Sequence, residues 1–196
     1  MQPLILSRPI PLPVLKPGVG WYDDFISSSG KNSMYTVSNT GNISPSPNGI
    51  YMIRGTGTFT MALPTYFLAK NFEAEMYMRR VTATNLIFAF RSATQLNTTD
   101  RWLIRFNYNT NDSFDLVKVV NNTLTIVGQK INVGGTIFHK INIRAIGSNI
   151  EVWLNDIKLF EVVSTEHIDN KYFYLSTSTT INGDYSEIGY LVIKPL

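Results

Sequence analysis

Residues 139–163 read HKINIRAIGSNIEVWLNDIKLFEVV, and this stretch decides the fold. Apolar and polar residues alternate along it, the period of a strand with one buried face. With Gly147-Ser148 as a two-residue turn, Ile141, Ile143 and Ala145 lie opposite Leu154, Val152 and Ile150. The other face then pairs Arg144 with Glu151 and Asn142 with Trp153. A slip of one residue would mix the apolar and polar sets, so the register is strongly specified. Asn155-Asp156 makes the next turn and sets Leu154 against Ile157 and Val152 against Leu159.

The same arithmetic extends outward. An Asn121-Asn122 turn pairs Val119 with Leu124 and Val117 with Ile126. Phe72, Ala74, Met76 and Met78 alternate with Glu73, Glu75, Tyr77 and Arg79; Leu86, Phe88 and Phe90 alternate with Ile87, Ala89 and Arg91. Trp102, Ile104, Phe106 and Tyr108 alternate with Arg101, Leu103, Arg105 and Asn107. Runs rich in Val, Ile, Thr, Tyr and Phe, bounded by Gly, Asn and Asp, predict strands at 21–25, 33–38, 50–54, 57–63, 72–80, 85–92 and 101–108. Further strands are predicted at 114–120, 123–129, 139–146, 150–154, 157–163, 171–177 and 186–193. No segment carries a helical stripe; 64–70 and 164–170 have room for a single turn each. So many short strands in one unit imply an all-β, two-sheet antiparallel sandwich spanning 21–196.

Composition narrows the function classes. The 196 residues are 44% hydrophobic, enough for a real core, and 16% charged, below the roughly 25% of an average soluble domain. Disorder, collagen and coiled coil are excluded. No apolar run approaches the ~18 residues of a spanning helix, so no membrane insertion is expected. Seventeen basic against fourteen acidic residues leave a net charge of +3, and the one adjacent basic pair, Arg79-Arg80, sits in a strand. A nucleic-acid partner needs clustered cations and is not expected. The absence of cysteine excludes disulfides, thiolate metal sites and cysteine nucleophiles. His139 and His167 are the two histidines, and neither sits in a catalytic or metal-binding spacing.

Residues 1–20, MQPLILSRPIPLPVLKPGVG, form a separate unit. Prolines at positions 3, 9, 11, 13 and 17 forbid a helix and favour an extended, polyproline-like arm. They also forbid the helical core of a secretory signal, so the chain is expected to be cytoplasmic at synthesis or, if viral, part of a virion. Leu4, Ile5, Leu6, Ile10, Leu12, Val14 and Leu15 are too many apolar groups for a solvated linker. Such an arm either straps across its own domain or docks on another subunit in an oligomer.

Several of these segments together resemble a known family. They are Trp-Tyr-Asp-Asp-Phe at 21–25, NFEAEMYMRR at 71–80, LIFAFRS at 86–92 and RWLIRFNY at 101–108. FDLVKVV at 114–120, the 139–163 meander and EIGYLVI at 187–193 complete the set. The order resembles the concanavalin A-like lectin/glucanase jelly roll, in particular its laminin-G-like branch. Ile150 to Leu159, IEVWLNDIKL, is similar to that family's i-x-v-y-v-n-G-x-x-l hairpin, with Asp156 where glycine is commoner. The resemblance implies two antiparallel sheets of six or seven strands, one of them often carrying a ligand site. It hosts lectins, glycosidases, lyases, adhesion modules and virion proteins, so it does not choose a function.

Three kinds of site come into question, each beside a plainer reading: the Trp153 face packing against a loop, the arm or another subunit, Glu73 and Glu75 as solvated partners of arginines, and the Asp and Asn positions as simple turn chemistry. Sugar binding needs an aromatic platform and planar polar groups. Trp153 faces away from the core, and a family-like strand order would give Arg144, Glu151, Asn142, Arg105, Arg91, Glu75 and Tyr77 the same face. Glycosidases of the family carry E-x-D-x-x-E or E-x-D-x-E; the nearest match is Glu73-Ala74-Glu75, with no third acid at that spacing. Calcium, a common structural ion of the fold, would need Asp23, Asp24, Asn182 and Asp184 to converge. No other cofactor is expected. The expectation is a non-catalytic recognition or assembly module. A virion protein that decorates a head, forms a head fibre or serves as a tail adhesin fits it. The arm would then anchor to other subunits while the sandwich meets cell-surface carbohydrate. A glycoside hydrolase or lyase using Glu73 and Glu75, and a cellular carbohydrate-binding module, are the alternatives.

Overall fold

The computed structural model describes residues 20–23, 25, 35–37, 41–46, 49–54, 58–64, 67–95, 99–107, 112–178 and 184–196. Among them every regular element is a strand, and the strands make two antiparallel sheets. The first runs β13 (Ile157–Val163), β12 (Asn149–Leu154), β11 (His139–Ile146), β6 (Phe72–Arg80), β15 (Tyr185–Pro195), β4 (Gly49–Arg54) and β3 (Gly41–Ser46). An eighth strand, β1 (Trp21–Asp23), pairs with β15. The second sheet runs β10 (Thr123–Lys130), β9 (Ser113–Val120), β8 (Arg101–Asn107), β7 (Asn85–Ser92), β14 (Tyr172–Ser178), β5 (Phe59–Ala62) and β2 (Thr36–Val37).

The meander adopts the register its sequence demands. Ile141, Ile143 and Ala145 pair with Leu154, Val152 and Ile150, while Asn142 and Arg144 pair with Trp153 and Glu151. The apolar set is buried between the sheets, together with Phe72, Ala74, Met76 and Met78 from β6 and Leu191 and Ile193 from β15. Leu86, Phe88, Phe90, Trp102, Ile104 and Phe106 close the core from the second sheet. The turns follow their chemistry. Gly147 has φ +52°, as the first central position of a II′ turn requires, and Asn121, Asn122, Asn155 and Asp156 all take positive φ, as in I′ turns. Asp tolerates that region better than most side chains, which lets Asp156 stand where the family prefers glycine.

Three local expectations need correction. A bulge between Val152 and Trp153 puts Phe160, not Leu159, opposite Val152. Strand β3, GNISPS, lies outside the predicted strands, being rich in turn-forming residues; its Pro45 is tolerated because β3 is a sheet edge. Arg91 does not continue the outward set of β7. Its φ of +46° breaks the alternation and the side chain is fully buried. The segments 64–70 and 164–170 contain no helix among their described residues. Residues 1–19, which hold the apolar positions Leu4 to Leu15, lie outside the described residues.

Candidate functional site

Strands β12, β11, β6 and β15 stand side by side, so their outward residues form crosswise rows. One row is Glu151, Arg144, Glu73 and Lys194; the next is Trp153, Asn142, Glu75 and Val192; a third is Lys140, Tyr77 and Tyr190. A shift in register between Ile188 and Tyr190 aims Tyr190 onto this face beside Tyr77. A cleft of about 380 Å3 opens there, lined by Glu73, Glu75, Asn142, Arg144, Trp153, Asp156, Val192 and Lys194 together with Ala74 and Ile143.

Most charges in and around the cleft are answered by a neighbour. Arg144 Nε lies 3.3 Å from Glu73 Oε1, and its Nη1 lies 3.6 Å from Glu151 Oε2. Lys140 Nζ lies 3.0 Å from Asp156 Oδ1 and 3.5 Å from Glu75 Oε2. The Tyr190 hydroxyl donates to Glu75 Oε1 at 2.8 Å. Lys158 donates to Glu151 at 2.8 Å and to Glu161 at 2.7 Å, and its ammonium sits 5.8 Å from the Trp153 ring centroid. Titration follows these contacts. The hydrogen bond to Asp156, helped by the field of Glu75, holds the Lys140 ammonium above the ordinary lysine value. The hydrogen bond from Lys158 holds the Glu151 carboxyl below the ordinary glutamate value. Burial, then the bond to Glu75, pushes the Tyr190 phenol upward.

An aromatic strip adjoins the cleft. Tyr77 stacks on Phe138 with ring centroids 4.6 Å apart and planes 5° from parallel, and on Tyr190 at 5.9 Å and 10°. The Arg79 guanidinium caps Phe138 at 4.7 Å. Phe138 and Tyr190 were not among the expected site residues. Neither were Asp156, Val192 and Lys194. The pairing of β15 with β6 spans more than a hundred residues and leaves no local signature in the sequence.

Of the expected groove residues, Trp153, Asn142, Arg144 and Glu75 line the cleft, and Glu151 and Tyr77 share its face. Arg91 and Arg105 do not belong to it, because β7 and β8 lie in the other sheet. Arg105 instead pairs with the buried Asp115 at 2.9 Å. Arg91 donates to the carbonyls of Lys70 at 3.2 Å and Gly147 at 2.7 Å. Of the candidate calcium ligands, the two described ones, Asp23 and Asp184, are not brought together. The first and last strands pair, but Asp23 lies opposite Leu191, seven positions from Asp184, roughly 20 Å along a strand. Asp23 accepts from the Tyr35 hydroxyl at 2.7 Å and the Phe25 amide at 2.8 Å. Asp24 and Asn182 lie outside the described residues, and no cluster of three metal-ligating side chains occurs among the described ones.

No family model matches this chain, and no curated protein matches it in sequence. Solved structures do match in shape. A carbohydrate binding module, CBM66 from Bacillus subtilis, superimposes with a TM-score of 0.65 at 13% identity, covering 82% of this chain and 95% of its own. The carbohydrate recognition domain of Emp46p, in its metal-free form, gives 0.67 at 8% identity over 88% and 94%. A Bacillus licheniformis beta-glucanase gives 0.63 at 10% identity over 92% and 100%. At these identities the likeness concerns the fold. Sheet order, register and these superpositions agree on the fold, a two-sheet antiparallel jelly-roll β-sandwich like that of the three domains.

Proposed function

We propose that this domain is a non-catalytic carbohydrate-recognition module and that its ligand lies along the cleft of the eight-stranded sheet. The observation that carries the reading is the cleft itself: an indole at one wall, with Asn142, Arg144, Glu73 and Glu75 fixed across the floor. A pyranose has an apolar face suited to an aromatic ring and hydroxyls suited to amide and carboxylate groups. The binding module and the recognition domain that share the fold support it. The absence of catalysis is supported by the way Glu73 and Glu75 are held, each against a cation, and by the lack of a third acid on β6.

Binding to a glycan array, followed by titration calorimetry on any hit, tests this. Trp153→Ala is expected to abolish a signal that the parent chain gives. No binding by the parent chain, or binding indifferent to Trp153→Ala and Asn142→Ala, would remove the reading.

A glycosidase is the second reading, because Glu73 and Glu75 line one cleft and a β-glucanase shares the fold. Release of reducing ends from a polysaccharide panel, lost in Glu75→Gln, would establish it over the first. Attachment to a virion or another assembly through residues 1–20 would place the same face on a larger particle; its support is the apolar, proline-rich sequence of that segment.

A further inference from the structure

The two sheets end differently on the side where β10 and β13 lie. β13, the edge of the eight-stranded sheet, carries Lys158 and Glu161. Charged residues on an edge discourage pairing with a further strand. β10, the edge of the seven-stranded sheet, has no charged residue before Lys130 at its own end. Seven of its eight residues are exposed. Leu124 is 45% exposed and Ile126 41%, although their cross-strand partners Val119 and Val117 are buried in an apolar cluster with Leu103 and Tyr174.

Turn chemistry fixes which backbone groups of β10 are free. A two-residue turn is closed by a pair that exchanges both hydrogen bonds, here Val120 with Thr123, and such pairs alternate with pairs that exchange none. Leu124 opposite Val119 and Ile126 opposite Val117 are of the second kind. Their N–H and C=O groups therefore point away from β9, to the open edge, where no described strand lies. A bulge between Ile126 and Gly128 confines any added pairing to the run before it.

That run is complementary to itself. A second copy laid antiparallel about a two-fold axis at Thr125 sets Leu124 against Ile126 of the other copy, twice. These residues exchange their free backbone hydrogen bonds, and their side chains meet on one face. Thr125 meets Thr125, a neutral contact at a place where any charge would oppose its own copy. Beyond the bulge, Lys130 comes beside the 121–122 turn of the other copy, whose Asn121 amide donates to Asp100 Oδ1 at 3.0 Å. Neither Lys130 nor Asp100 forms an ion pair among the described residues, and the symmetry brings them together twice.

We propose that the chain associates with a second copy of itself through β10, joining the two seven-stranded sheets edge to edge about an axis at Thr125. One short strand a side falls well below the roughly 20–30 residues a side of a standard interface, so the dimer is reversible. Antiparallel neighbours in one sheet are related by an axis perpendicular to it. Both eight-stranded sheets therefore lie on the same side of the joined sheet, and both Trp153 clefts open in the same direction. The association does not depend on what the clefts hold.

Sedimentation equilibrium of the full chain between about 5 and 500 µM, a range suited to so small a contact, is expected to show monomer and dimer in exchange. Thr125→Glu places two carboxylates across the axis while its partner within the chain is Lys118. It is expected to raise the dissociation constant at least about tenfold and to leave the melting temperature of the monomer unchanged. The chain has no cysteine, so Thr125→Cys puts a single thiol at the axis. Opposite residues of a pair without hydrogen bonds lie about 4.5 Å apart at Cα, within disulfide reach. Mild oxidation is expected to link Thr125→Cys at least about tenfold faster than Leu124→Cys or Ile126→Cys alone, and to link those two with each other when mixed. A monomer at every concentration, a dimer indifferent to Thr125→Glu, or equal linking of the three cysteine variants would overturn the proposal.

Discussion

Arg91 Nη2 donates to the carbonyl of Gly147 at 2.7 Å, so a side chain from the seven-stranded sheet holds the turn of the hairpin that carries Trp153. The same guanidinium donates to Lys70 O, and Asn71 Oδ1 accepts from the Gly147 amide at 2.9 Å. Burial lowers the Arg91 pKa, the cost of withdrawing a charge from water. Arg91→Met is expected to leave these carbonyls unsatisfied and to destabilise the domain by about 2–3 kcal/mol. Denaturant unfolding measures it; a loss under half of that would show that the turn is held by other contacts.

Val152 and Glu151 are neighbours on β12 with opposite fates. Val152 is fully buried, and Val152→Asp places an unpaired charge in the core, which is expected to unfold the domain at room temperature. Glu151→Gln keeps the volume and loses ion pairs at the surface, a change of about 1 kcal/mol or less. Equal losses of thermal stability in the two variants would contradict the assignment of faces.

The pH dependence has two limbs. Glu151 is held below its ordinary value by its hydrogen bond from Lys158, so its contribution is complete above pH 4.5 and disappears as the pH falls through its folded value. On the alkaline side, burial pushes Tyr174 from 10.0 up to about 12. That contribution is complete below pH 10 and disappears as the pH rises towards 12. Lys140 and Lys158, both raised, lose theirs above 10.5. Stability is therefore expected to fall on both the acid and the alkaline side. Tyrosinate absorbance during alkaline unfolding checks it, and Tyr174→Phe is expected to soften the alkaline limb.

The turn at Asn121-Asn122 holds both residues at positive φ, 49° and 64°. Asn122→Gly gives the Asn-Gly pair that a I′ turn favours and is expected to stabilise the domain by about 0.5–1 kcal/mol. An unchanged or lower melting temperature would show that Asn122 does more than turn the chain.

The legible and illegible parts of this molecule divide by range. Val119 opposite Leu124 and Ile143 opposite Val152 follow from turn chemistry and alternation within twenty residues, and both pairs are present. Trp153 facing outward follows from the same period. The choice of neighbour for β6 does not, since the alternation of Phe72 to Arg79 says which residues turn inward and nothing about which strand lies beside them. Glu75 shares a face with Asn142 because β6 lies beside β11, whereas Arg105, given the same face on the same assumption of a family-like strand order, belongs to the other sheet. Arg91 escaped for a different reason: a left-handed residue inside a strand breaks the rule on which the reading depends.

In the cleft, Arg144 stands between Glu73 and Glu151, and Lys140 between Glu75 and Asp156. With Lys158 and Lys194 beside them, four cations face the five carboxylates Glu73, Glu75, Glu151, Asp156 and Glu161, so this surface projects little net field into the solvent and has little means of drawing a ligand in from a distance. Ionic strength should then have little leverage on encounter rates. Retention on a polymer would depend on brief touches repeated along its length, a task better served by many such domains arrayed together than by one acting alone.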